Sequence, residues 1–185
     1  MKGDTALLII DIQNDYFDGG AHTLHGSAEA CSKAKQVLDY FRNNKLPVVH
    51  VQHISTREGA TFFIPSTQGA EIHEKVKPLP EEKLIVKHFP NSFRETDLLE
   101  YLKKKEITHL VVCGMMTQMC VDATVRAAKD HGFTCTLLSD ACATRDVEIH
   151  GQHLKAAEVQ KAYIAALNYF YANVIKTSDF LLTHK

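Results

Sequence analysis

HLVVCGMMTQMCVDATVRAAKDHG, His109–Gly132, changes its hydrophobic period part-way along, and that change decides the fold. Leu110-Val111-Val112-Cys113 is a wholly apolar run of the kind a strand buried on both faces requires, and it stops at Gly114. From Thr117 onward Val121, Thr124, Val125 and Ala128 recur at helical spacing, until His131-Gly132 supplies a helix-ending signal. Cys120 therefore falls at a strand-to-helix turn. A thiol among the free N–H groups of a helix's first turn is expected to ionise more readily than a free cysteine, whose pKa is about 8.5.

The same alternation recurs on either side. Ala6–Ile10 is a continuous apolar run ending at Asp11; the Asp-, Asn- and Gly-rich segment after it lacks either period and reads as a loop carrying Phe17 and His22. Ala30, Ala34, Val37, Leu38 and Phe41 form one helical stripe. Pro47–Gln52 and Lys83–Lys87 are the second and third strands, with His53 just beyond the former and Lys87 closing the latter. Between them, 54–82 holds Pro65, Pro78, Pro80 and the pair Phe62-Phe63 without a sustained period, and reads as a lid.

Further on, Thr96 or Asp97 can cap a helix burying Leu98, Leu99 and Leu102, which ends in Lys103-Lys104-Lys105, a solvated helix end. Thr134–Leu138 reads as a fifth strand, about 147–171 as a long helix, Val174-Ile175 as a sixth strand, and Ser178-Asp179 as the start of a short terminal helix. Such alternation predicts one α/β domain over residues 1–185: three layers, a six-stranded mostly parallel sheet with helices on both faces and right-handed crossovers.

The chain's 185 residues suffice for one self-supporting core. A formal net charge of -1, with 23% charged residues, gives no electrostatic case for nucleic acid or an anionic membrane, so a small-molecule substrate is expected. The five cysteines are odd in number, contain no CxxC pair, and point to a reducing compartment. The N-terminal apolar run is too short for a signal peptide, and a cytoplasmic protein is the expectation. No GxGxxG follows any expected strand, which argues against a dinucleotide-binding oxidoreductase.

In open α/β sheets ligands bind beyond the carboxyl ends of the strands. Asp11, Lys87 and Cys120 each follow a strand at that edge. Together they make a coherent nucleophilic site, in which the carboxylate takes the thiol proton, the ammonium stabilises the thiolate, and sulfur attacks a carbonyl carbon. Oxyanion donors are available from the Gly114-Met115-Met116 turn and the N–H of Cys120, although a Thr117 cap would compete for that N–H.

These segments resemble a known family. DIQNDYFDGG after an apolar strand, Lys87 after the third strand, and GMMTQMCVDATVRAA are similar to the isochorismatase-like cysteine hydrolases, which include nicotinamidases, N-carbamoylsarcosine amidohydrolases and ureidoacrylate amidohydrolases. The resemblance spans nearly the whole chain. It implies an Asp11-Lys87-Cys120 triad, an oxyanion hole from the N–H groups of Met116 and Cys120, a cis peptide at Met115-Met116, and a homodimer or homotetramer. Nicotinamidases carry a metal-binding Asp-x-His after the second strand. Here the text is Gln52-His53-Ile54-Ser55, and His50, His53, His73 and His88 lack a compact ligand spacing, so no metal or other cofactor is expected.

Phe17, His22, His53, Phe62, Phe63, Phe89 and Met119 are the candidates for the substrate wall. True isochorismatases act on a vinyl ether and rely on the acid. The presence of Cys120 tilts the expectation to C–N cleavage in a small amide, carbamoyl or ureido compound, with the ether hydrolase and a catalytically silent binding protein of the same fold as alternatives.

Overall fold

A computed structural model of the chain describes residues 3–184. Six strands form one all-parallel sheet in the order β3-β2-β1-β4-β5-β8: β1 (Thr5–Ile10), β2 (Val48–His53), β3 (Lys83–Lys87), β4 (His109–Met115), β5 (Thr134–Ala143) and β8 (Asn173–Ile175). β1 and β4 lie side by side at the centre and are buried on both faces, which is why each reads as an unbroken apolar run rather than an alternating one.

Period-2 geometry sends successive β1 residues to opposite faces, and each face has its own core. Leu7 and Ile9 pack with Val37, Leu38 and Phe41 of α1 (Ser27–Asn43) and with Phe180 of α5 (Thr177–Thr183). Leu8 and Ile10 pack with Leu98 and Leu102 of α2 (Leu98–Lys104), Val125 of α3 (Asp122–Asp130) and Leu167 of α4 (Ala156–Phe170). The result is the expected three-layer α/β arrangement. Among the described residues no helix is long and apolar enough to cross a membrane.

The expected long helix over about 147–171 is corrected. Val147–Ile149 (β6) and Gln152–Leu154 (β7) form an antiparallel hairpin, and the helix begins only at Ala156. His150 and Gly151 both take positive φ (51° and 75°), as a two-residue hairpin loop matched to strand twist requires. Asp146 then anchors the start of α4, its Oδ1 accepting the Ala156 N–H at 2.8 Å.

Two more boundaries move. β5 continues past Leu138 to Ala143 through a register shift against β4, which carries Ala143 and Thr144 to the sheet's carboxyl edge. Ahead of α3, Thr117–Val121 forms a single π-helical turn. Asp97 stands at the N-cap of α2 without a side-chain capping bond; its carboxylate pairs with Lys83 at 2.5 Å instead.

The 54–82 segment is a strap packed onto the body, with short 3₁₀ turns at Gln68–Ala70 and Glu74–Val76. Near its start Asp15 Oδ2 accepts the Phe63 N–H at 2.6 Å, and in its middle Gln13 Nε2 donates to Ala70 O at 2.7 Å. At its end Glu82 takes two bonds of 2.7 Å from Arg42 and one contact of 2.8 Å from the buried His50.

Candidate active site

The chain runs β1, β2, β3 outwards and then returns to place β4 beside β1, so the strand order reverses between β1 and β4. This is the crevice where open α/β sheets bind ligands. Asp11 leaves β1 with φ +50°, and Gly114, the β4 partner of Ile10, takes φ +139°. A Cβ on Gly114 would lie 2.1 Å from Ile10 O, so only glycine allows the two central strands to approach here.

The three residues that follow distant strands meet. Lys87 Nζ donates to Asp11 Oδ2 at 2.6 Å, and both side chains are fully buried. One carboxylate oxygen of Asp11, the Cys120 sulfur and one ring nitrogen of His53 all lie within 4.8 Å of one another. His53 Nδ1 stands 3.0 Å from Lys87 Nζ, and Asp11 Oδ1 is buried with no hydrogen-bond partner among the described residues. A buried carboxylate clustered with a thiol is placed to take its proton.

The electrostatics correct one expectation. Cys120 sits inside the π turn at 5% exposure, and burial first, then the Asp11 carboxylate, push its thiol well up against the opposing pull of Lys87. Burial together with the neighbouring carboxylate keeps it a thiol at rest. Burial lowers Lys87, but Asp11 and then Cys120 oppose it, and the balance holds the ammonium above its ordinary value. His53 is brought down to about 4, by burial first and by Lys87 second, so its neutral ring accepts from the ammonium.

The expected contest for the Cys120 N–H does not arise. Thr117 Oγ1 donates to Ala143 O at 3.2 Å, which the extended β5 brings within reach. The Met116 carbonyl accepts from Met119 N at 3.1 Å and Val121 N at 3.2 Å, passing over the N–H of Cys120 between them. The Met115-Met116 peptide is cis.

Of the expected wall residues, Phe63 lies 5.8 Å from the His53 ring, Phe62 is 4.9 Å from Phe63, and His22 stacks on Phe62 at 4.3 Å. Met119, adjacent to Cys120, is exposed. Phe17 packs its ring on His73 at 4.0 Å and lines a groove of about 810 Å³ to which Asp11, Lys87 and Cys120 do not contribute. Phe89 packs under the Arg94 guanidinium at 3.6 Å.

Tyr16, not anticipated, lies beside the same cluster. It is buried, 4.7 Å from Phe63, and its hydroxyl is pushed well up by burial and then by Cys120 and Asp11. Gln13 was also missed. Its side chain brackets the His53 backbone, accepting from N at 2.7 Å and donating to O at 2.8 Å. Both belong to the Asp11–Gly20 segment, but a loop without period gives no signal for which side chains turn inward.

A model of the isochorismatase domain matches residues 5–168 of the chain. The chain belongs to the isochorismatase family. The uncharacterized isochorismatase family protein YddQ of Bacillus subtilis is 51% identical over 177 residues, 96% of this chain and 98% of that protein. A crystal structure from Oleispira antarctica, described as of an isochorismatase hydrolase, superposes with a TM-score of 0.94 at 43% identity, covering 98% of each chain. Streptothricin hydrolase of Streptomyces noursei is 35% identical over 144 residues, 77% of this chain and 50% of that enzyme. The protein is thus an isochorismatase-family hydrolase with a cysteine in the crevice where β1 and β4 part.

Proposed function

We propose that this isochorismatase-family protein cleaves a C–N bond of a small amide, carbamoyl or ureido compound through a Cys120 thioester. The observation that carries the reading is the buried Asp11 carboxylate clustered with a protonated thiol, its Oδ2 on Lys87 and its Oδ1 unpaired among the described residues.

Asp11 takes the Cys120 proton as sulfur attacks the carbonyl carbon, and the C=O π pair moves to oxygen. The N–H groups of Met116 and Cys120 receive that oxyanion; each such donor is worth about 10²- to 10³-fold in rate. Collapse expels the amine, which carries off the proton held on Asp11 and leaves an acyl thioester. Water then attacks, Asp11 takes its proton, and the acid departs as the thiol is restored. Lys87 stays charged throughout and stabilises first the carboxylate, then the thiolate.

The test is ammonia or amine release from a panel of small amides and ureas, with two variants. Cys120→Ala is expected to abolish turnover while leaving the fold intact; full activity in that variant overturns the reading. The buried acid also suits a second reading, vinyl-ether hydrolysis, for which Asp11→Ala would be lethal and Cys120→Ala mild.

The wall of Tyr16, Phe62, Phe63 and His22 suits a small planar substrate, and no cofactor, nucleic acid or membrane enters this reading. We further propose a cytoplasmic homodimer or homotetramer, supported by the exposure of Tyr169, Phe170 and Ile149 on the surface. Sedimentation velocity showing a monomer at micromolar concentration would refute that assembly.

A further inference from the structure

β3 closes one side of the sheet and is paired with β2 alone. The Ile54 N–H donates to Lys87 O, so the backbone groups of Lys87, and by the two-residue period those of Ile85 and Lys83, point at β2. The N–H and C=O groups of Leu84 and Val86 therefore point outward along the open edge, where no hydrogen bond among the described residues reaches them. Their side chains are uncovered too, at 40% and 46% exposure, on the face they share with Gln52. Edge strands commonly guard themselves against pairing with lysines. Here both lysines of Lys83-Leu84-Ile85-Val86-Lys87 are engaged elsewhere, Lys83 with Asp97 at 2.5 Å and the buried Lys87 with Asp11 at 2.6 Å.

We propose that this edge pairs antiparallel with the same edge of a second copy of the chain, about a two-fold axis at Ile85, joining the two sheets into one. The segment is chemically palindromic about Ile85, so the axis sets Leu84 opposite the partner's Val86 and Val86 opposite the partner's Leu84. Both are the residues whose backbone groups face outward. Each free N–H thus meets a free carbonyl across the axis, in the closely bonded pairs of an antiparallel ladder. The apolar side chains of those pairs fall on one face and cover one another.

Charge agrees with this direction. The strand is entered through Glu81 and Glu82 and left through His88 and Arg94, so an antiparallel pairing sets acidic ends beside basic ones. The exposed Glu81 comes opposite the partner's Phe89, the residue whose ring in each copy carries the Arg94 guanidinium at 3.6 Å. Lys87 is the last residue of the paired strand, which places the interface on the element that delivers the ammonium to Asp11. The inference rests on the homo-oligomer proposed above and gives it an interface; it does not depend on the hydrolase reading.

The experiment is sedimentation velocity of the full-length chain at micromolar concentration. A dimer or a multiple of it is expected, and Leu84→Lys and Val86→Lys should each halve the mass while the circular dichroism spectrum stays native. A monomeric wild type overturns the assembly and the interface together, whereas a mass that survives both lysine variants overturns the interface alone. The register is read separately, by equilibrating Leu84→Cys with Val86→Cys protein under mild oxidation. Opposed positions of such a ladder lie about 5.5 Å apart between Cα atoms, within disulfide reach, and the native cysteines are all buried. The mixture is expected to yield several times more covalent dimer than either variant alone; equal yields, or none, overturn the two-fold at Ile85.

Discussion

Single residues at the crevice carry consequences out of proportion to their number. Asp11 and Lys87 form a fully buried ion pair at 2.6 Å, and removing one partner of such a pair costs about 3 to 5 kcal/mol because the other charge stays buried and alone. Lys87→Met is therefore expected to be strongly destabilised in urea titration, and the double variant Asp11→Asn/Lys87→Met to recover much of the loss. If the two effects simply add, the pair is not coupled. At Gly114 any side chain meets the Ile10 backbone oxygen at 2.1 Å. Gly114→Ala should cost about 4 kcal/mol or more, because overpacking and a strained positive φ act together there, and a near-native melting curve would contradict that close approach. Asp11, Lys87 and Cys120 were legible in the sequence because each follows an apolar run. Tyr16 was not, since choosing between it and Phe17 needs the path of the loop.

At the scale of elements, the strap over 54–82 is fastened to the body at Glu82. Burial pushes the Glu82 carboxyl up, but the Arg42 guanidinium, the Leu79 N–H and His50 outweigh it and hold the group at about 2 against an ordinary 4.5. A depressed carboxyl contributes stability that is complete above its unfolded value and disappears as pH falls through the folded one. The strap is thus expected to lose its hold between about 4.5 and about 2. Buried His50, itself lowered by burial from 6.5, adds a loss of the same sign that begins below 6.5. Measured as stability against pH, the acid limb should flatten in Glu82→Gln; an unchanged slope would show that other carboxylates set it. The helical pattern read over 147–171 failed for a local reason, because consecutive positive φ values at His150 and Gly151 cannot continue a helix.

Across the whole molecule, the alternation of apolar runs with helical stripes determined by itself that this is an α/β fold with a parallel sheet, since only strands covered on both faces read as unbroken apolar segments. It also marked the ends of three strands as the places to look for chemistry. Which strands are neighbours was decided in three dimensions: the return of the chain from β3 to β4 beside β1 brings Lys87 and Cys120 to Asp11 across 76 and 109 positions of sequence. Tertiary structure likewise decided the state of the thiol. A helix start favours an anion, but burial inside the π turn and the adjacent carboxylate push this thiol up, because desolvation depends on everything packed around the sulfur and local pattern reports only the turn that carries it.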